Sequence, residues 1–427
     1  MMADFALQWH ITQRCNNNCR HCYMEDASHI LSFDTYKTCI DNIENFERKY
    51  KFDISTITLT GGDPLLNPAW SEIAWDLVTR NKKIAFLGNP EYLDDDVLNI
   101  LSELGVVRYQ LSLDGLEASH DKIRYCGSFK KTIDAIQNLY TKNIPIAIMY
   151  TLSNDNYYDL KDLILFLDTL DIPVLFSFDF VINIGNAKKN SLKTSINLSN
   201  LFREYLDLKL KLISKKSKVI LTEKPSLLFA FKNYFNMDNR VIQHIPYTFC
   251  GGCGAGWRHL TIINDGDVLA CRRMPIKVGN LLVDSFEDIL LNSPSLIKLR
   301  KRSEAGQCSS CLFYKFCRGC PAETYASHGV PFNSELNCAW YKKDESIDEY
   351  DSMSEYEKIL HSINNQEIVS DKIDMDKITK SLILFNLTKQ EKEFFVNNPH
   401  EWGTRRKLNL NIYEIGYLYC FLMNYFC

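Results

Sequence analysis

Residues 5–22 read FALQWHITQRCNNNCRHC. Phe5 to Ile11 is an apolar, β-prone run and reads as a strand. It passes directly into a polar loop that carries Cys15, Cys19 and Cys22 in the spacing C-x3-C-x2-C. Ligating side chains at the carboxyl end of a strand are what parallel α/β sheets use to build sites, so this stretch predicts both the sheet and the place of its chemistry.

The chain beyond it alternates in the same way. Helical period gives way to strand period through helix Asp34 to Tyr50, strand Ile54 to Thr60, helix Ala69 to Thr79, strand Ile84 to Leu87 and helix Asp94 to Leu104. Strand Val107 to Leu113, helix Thr132 to Tyr140, strand Pro145 to Leu152, helix Tyr158 to Leu170 and strand Val174 to Phe180 follow. Strands separated by helices imply right-handed crossovers and an α/β fold, here a partial (β/α)6 TIM-like barrel. The residues after the strands gather polar groups and glycines on one rim: Cys15, then Gly61-Gly62-Asp63-Pro64, Gly88-Asn89-Pro90, Ser112 to Gly115, Thr151 to Asn154, and Asp179. The expected organisation is a core over 1–190, a lysine-rich helical bridge over 191–246, a C-terminal cysteine-rich iron–sulfur domain over 247–343, and a helical tail over 344–427.

The 427 residues are 46% hydrophobic and 24% charged with a net charge of −4, which excludes a disordered chain and gives no global reason to expect nucleic acid. No apolar run approaches the ~18 residues of a membrane helix, so the expected setting is cytoplasmic, with no membrane partner. In that setting 15 cysteines argue for metal rather than disulfides.

Three closely spaced thiolates can take three corners of a [4Fe–4S] cube and leave the fourth iron open. A zinc knuckle is the alternative, but structural zinc wants four protein ligands and only His21, inside the loop, stands near. The motif Cys15-x3-Cys19-x2-Cys22 resembles the signature of the radical S-adenosylmethionine (SAM) superfamily. That resemblance implies SAM chelated at the open iron, reductive cleavage of its sulfonium C–S bond, and a 5′-deoxyadenosyl radical that takes a hydrogen atom from substrate. It also implies a SAM amino-group site at Gly61, Gly62, Asp63 and Pro64, and a ribose and methionine region at Ser112 to Gly115, with Ser112 and Asp114. It further places His21 near adenine and Arg124 on the SAM carboxylate, for which a surface ion pair on a short helix is the bland alternative.

The second cysteine-rich region holds Cys250, Cys253, Cys271, Cys308, Cys311, Cys317, Cys320 and Cys338, enough for two fully ligated cubes or for two zinc sites. Within it LTIINDGDVLAC reads as a hairpin turning at Asp265-Gly266. The arrangement is similar to the SPASM extension, the auxiliary-cluster domain of many radical SAM enzymes. The resemblance implies Cys250, Cys253, Cys271 and Cys320 on one auxiliary cluster and Cys308, Cys311, Cys317 and Cys338 on the other, three [4Fe–4S] clusters in all. Arg318-Gly319 is one residue shorter than the family's usual spacing there.

Cys39 reads as a small buried hydrophobe. Cys126, Cys420 and Cys427 are candidates to return a hydrogen atom to a substrate radical, with simple burial as their alternative. Sulfatase-maturating members carry an Asp base after the cysteine matched by Cys271; Arg272 stands here. The reading favoured is a maturase of a ribosomally made peptide, with a precursor peptide and a low-potential electron donor such as flavodoxin or ferredoxin as partners. With a strand already at residue 5, leader recognition is expected from a separate leader-binding protein or from the tail, whose acidic start and aromatic end suggest docking. Alternatives are an enzyme of the same type acting on a protein side chain or cofactor precursor, and a non-catalytic iron–sulfur carrier or zinc protein.

Overall fold

The computed structural model describes residues 5–24, 28–50, 54, 56–194, 198–222, 253–256, 259–263, 265–300 and 319–331. The expected parallel strands are all present: β1 (Ala6–Thr12), β2 (Thr56–Gly61), β3 (Lys83–Leu87), β4 (Arg108–Ser112), β5 (Ile146–Leu152) and β6 (Val174–Phe180). Helices α1 (Phe33–Tyr50), α2 (Trp70–Thr79), α3 (Asp95–Glu103), α4 (Glu117–Ile123), α5 (Ser128–Thr141) and α6 (Leu160–Thr169) form the connections. Helix α7 (Gly185–Lys189), helix α8 (Leu198–Ser214) and a further parallel strand, β7 (Val219–Leu221), follow. Among the described residues no helix is long and apolar enough to cross a membrane.

The sheet is wider than the expected core. The hairpin read from LTIINDGDVLAC forms as β8 (His259–Ile262) and β9 (Asp267–Cys271), with β10 (Met274–Asn280) antiparallel to β9. Strand β8 pairs parallel to β1 in the register Ala6 with His259 through Trp9 with Ile262. The result is a ten-stranded sheet in the order β10-β9-β8-β1-β2-β3-β4-β5-β6-β7. β1 therefore lies between the next strand of the chain, β2, and β8, a strand some 250 residues away, and this second pairing is non-local and no period in the sequence encodes it.

Alternation along β1 sorts the two faces. Leu7, Trp9 and Ile11 are fully buried on one face, where Trp9 lies 5.2 Å from the ring of Tyr36 on α1. Each such side chain contributes roughly 1.5–3 kcal/mol of burial. Gln8, His10 and Thr12 occupy the other face and are buried as well. The segment after β10 clasps α1 from outside. Phe286 packs edge-on against Phe46 at 5.3 Å, Asn42 donates to the carbonyls of Leu281 and Asp284 at 2.8 Å, and Lys49 pairs with Glu287 at 2.6 Å.

Candidate active site

The cysteine loop is held on every side by backbone and side-chain bonds. From β2, Gly62 N–H donates to the Thr12 carbonyl at 3.1 Å and Asp63 N–H to the Arg14 carbonyl at 2.8 Å. This approach needs glycine: a Cβ at Gly62 would lie 2.1 Å from Arg14 O, and one at Gly61, where φ is +147°, would lie 1.9 Å from Thr12 O. The Asp63 carboxylate accepts from the N–H groups of Leu65 (3.0 Å) and Asn89 (3.1 Å), so it shapes the turn while its burial pushes its pKa up to about 6. Pro64 opens the short 3-10 turn Pro64–Leu66 behind it. From the β6 side, Asn186 Nδ2 donates to Asn18 Oδ1 (2.8 Å) and the Cys19 carbonyl (3.2 Å), and Asn190 Nδ2 to the Arg20 carbonyl (3.1 Å).

Asp114 is the electrostatic centre. Its Oδ2 accepts from Arg124 Nε at 2.7 Å and from His21 Nε2 at 2.9 Å, and its Oδ1 from Thr151 N–H at 2.8 Å. A carboxylate accepts only, so the His21 proton sits on Nε2. Burial works against the Asp114 charge, but Arg124 and His21 outweigh it and hold the carboxyl well below the usual range. The His120 imidazole fixes the same turn, accepting from Asp114 N–H at 2.9 Å. Asp121 caps the following loop at Phe129 N–H (2.8 Å).

Two donors reach the sulfurs: Asn89 Nδ2 lies 3.4 Å from Cys15 Sγ, and Arg124 Nη1 lies 3.7 Å from Cys19 Sγ. Burial pushes the thiols of Cys15 and Cys22 up and that of Cys19 up to about 11, so thiolates here need a compensating cation as well as these donors. Among the described residues no three His, Cys, Asp or Glu side chains converge on a single metal ion. A cube takes one thiolate per iron at separate corners, whereas zinc draws its ligands to one centre. Three cysteine thiols on one loop, two of them already approached by N–H donors, are a donor set that fits a [4Fe–4S] cube.

A cavity of about 800 Å³ opens over the loop. The cysteines, His21, Gly61, Gly62, Ser112, Thr151, Arg124 and Asp179 line it, whereas Asp63, Pro64 and Asp114, also expected at the site, are buried and are not among its lining residues. The hairpin completes the wall. Arg273 pairs with Asp179 at 2.8 Å, and the Arg272 guanidinium stands 5.8 Å from the centre of the Tyr23 ring. Cys271 and Cys320 lie near Arg273, Cys253 lies near Cys320, and burial pushes Cys320 up to about 12. Cys250, Cys308, Cys311, Cys317 and Cys338 lie outside the described residues, as do Cys420, Cys427 and the tail. Cys39 is buried, as read. Cys126 is exposed and is not among the residues that line the cavity.

Sequence reasoning missed Asn89 as a partner of Cys15, Asn186 and Asn190 as clamps of the loop, and the Asp179–Arg273 link. The rim position of Asn89 after β3 was the one available signal; the others depend on contacts between distant segments.

Residues 9–167 match the model of the Radical SAM superfamily and residues 253–312 that of the SPASM iron–sulfur cluster-binding domain. The AdoMet-dependent heme synthase of Methanosarcina barkeri is 25% identical over 79% of this chain and 97% of its own length. The antilisterial bacteriocin subtilosin biosynthesis protein AlbA of Bacillus subtilis is 25% identical over 79% of this chain and 71% of its own. Among solved structures, Streptococcus suis SuiB bound to S-adenosylmethionine superposes with a TM-score of 0.63 at 16% identity, covering 79% of this chain and 77% of that one. The two domains imply [4Fe–4S] chemistry and SAM. The chain is a radical SAM enzyme with a C-terminal SPASM domain.

Proposed function

We propose that this enzyme modifies or cross-links a ribosomally made precursor peptide, using three [4Fe–4S] clusters: one at Cys15, Cys19 and Cys22, and two on the eight cysteines from Cys250 to Cys338. The observation that supports the radical chemistry is one cavity lined by the cysteine loop, Gly61, Gly62 and Arg124, with Asp114 buried behind Arg124. When bound, the reduced first cluster opens SAM and so supplies the radical that takes hydrogen from the substrate.

The chain's own residues do the positioning. Asn89 and Arg124 donate to the sulfurs and favour their anionic form. Asp114 orients Arg124 and His21, whose ring packs near the adenine. The backbone of Gly61 and Gly62, with Asp63 and Pro64 fixing the turn, offers close approach to the SAM amino group, and Ser112 stands beside its ribose. Arg124 spends one edge on Asp114, so a SAM carboxylate meets only its remaining N–H groups.

Likeness to AlbA supports the peptide reading. The heme synthase, matched over almost its whole length, supports a second: a tetrapyrrole substrate. The protein would draw electrons from a cytoplasmic flavodoxin or ferredoxin, with a separate leader-binding protein or residues 344–427 presenting the peptide. The test is mass spectrometry of a short peptide encoded beside this chain and of an iron tetrapyrrole, each incubated with reconstituted enzyme, SAM and reductant. A mass change on the peptide alone is expected; a change on the tetrapyrrole alone overturns the peptide reading.

A further inference from the structure

Five cationic side chains line the cavity over the cysteine loop, Arg20, Arg124, Lys189, Arg272 and Arg273, against a single carboxylate among the described lining residues, Asp179. Three of the five are paired: Arg20 with Asp155 at 3.8 Å, Arg124 with Asp114 at 2.7 Å, and Arg273 with Asp179 at 2.8 Å. Arg272 and Lys189 have no carboxylate partner among the described residues. Lys189 is exposed at the mouth, where water solvates it. Arg272 is partly buried in the wall, where an unpaired guanidinium is costly.

The Arg272 guanidinium stands over the Tyr23 ring, 5.8 Å from its centre. Close by are His10 and His259. Burial, reinforced by the nearby Arg272 charge, lowers them to about 3 and about 4, so both are neutral imidazoles at physiological pH. Among the described residues, buried His10 Nε2 has no hydrogen-bond partner, nor has Thr60 Oγ1, which stands opposite it in the β1–β2 register. The turn between β9 and β10 thus carries two adjacent arginines: Arg273 pairs with Asp179 of β6, and Arg272 lines the cavity with no carboxylate partner among the described residues.

We propose that Arg272 is a specificity-determining residue that binds a carboxylate of the substrate beside the reacting position, so that the enzyme selects an acidic residue in its peptide. A guanidinium holds a carboxylate through two parallel N–H···O bonds and rejects the isosteric amide, which cannot accept at both positions and brings no charge. The assignment rests on the peptide reading given above, and it predicts a carboxylate even where that reading fails.

The test uses full-length holoprotein, reconstituted without oxygen and loaded with SAM. A random nonapeptide library is selected at equilibrium on the wild type, Arg272→Gln and Arg272→Lys, and iron coproporphyrin is titrated in parallel as free acid and as methyl ester. Iron content and SAM affinity are measured on all three proteins. Selection on the wild type should enrich Asp or Glu over Asn or Gln at one position by roughly tenfold or more. Arg272→Gln should abolish the enrichment and Arg272→Lys keep part of it, with iron and SAM affinity unmoved. A free-acid preference for the porphyrin that depends on Arg272, with no acidic enrichment in peptides, would keep the carboxylate site and discard the peptide reading. The assignment is overturned by absence of any carboxylate preference, by a preference equal in Arg272→Gln, or by weakened SAM binding in that variant, which would place Arg272 on SAM.

Discussion

Arg124 and Asp114 form a buried ion pair at 2.7 Å, and the far edge of the same guanidinium lies 3.7 Å from the sulfur of Cys19. One side chain from α4's C-terminal cap thus links the turn after β4 to the cysteine loop after β1. His21 joins the pair through the same carboxylate oxygen. The loop geometry therefore depends on Asp114 as much as on the cysteines themselves.

Replacing Asp114 with Ala should leave Arg124 charged and unpaired in the interior, at a cost of about 3–5 kcal/mol. Chemical denaturation should show the loss, and the first cluster should reconstitute poorly. The wild-type contribution has a defined pH window. Because the folded carboxyl is held below its unfolded value, the stabilisation is full above about 3.9 and is lost as pH falls below it. A variant as stable as the wild type at neutral pH would show that the pair carries no stability.

Gly62→Ala should push the cysteine loop away from β2, since its Cβ would meet Arg14 O at 2.1 Å and Cys15 Cβ at 2.7 Å. Overpacking of this kind costs about 1–3 kcal/mol. Iron should fall by roughly one cube in three. Full iron loading with unchanged SAM affinity would mean that the loop relaxes freely.

Much of this was legible because it is local. Each parallel strand from β1 to β6 carries its own period and its own terminal glycine or polar residue, and part of the rim they form lines the cavity, while Asp63, Pro64 and Asp114 are buried away from it. The sheet's extensions were not legible. Strand β7 is only the three residues Val219–Leu221, too short to show a period, and the union of β8 with β1 joins segments some 250 residues apart. The roles of Asn186, Asn190 and Arg273 were hidden for the same reason: an Asn or Arg carries no local signal of which distant loop it will clasp. Helix α5 starts at Ser128, ahead of the expected Thr132, because Gly127 at φ 85° sets the turn that launches it.

Asp179→Asn should loosen the hairpin rather than the barrel. The Arg273 link is partly exposed, so global stability should drop by no more than about 1–2 kcal/mol. Amide exchange should quicken in Asp267–Cys271 and Met274–Asn280 more than in Ile146–Leu152. Uniform acceleration would deny Arg273 a local tethering role.

The central claim is that the three cysteines after β1 hold the cluster at which SAM is cleaved. Its most direct test is to assay 5′-deoxyadenosine from anaerobically reconstituted, dithionite-reduced protein supplied with SAM, in the wild type and in the variant with Cys15, Cys19 and Cys22 all changed to Ala. The account predicts product from the wild type with about twelve irons bound, and none from the variant, which should retain about eight. Product from the triple variant, or none from a wild type with its iron complete, would contradict it.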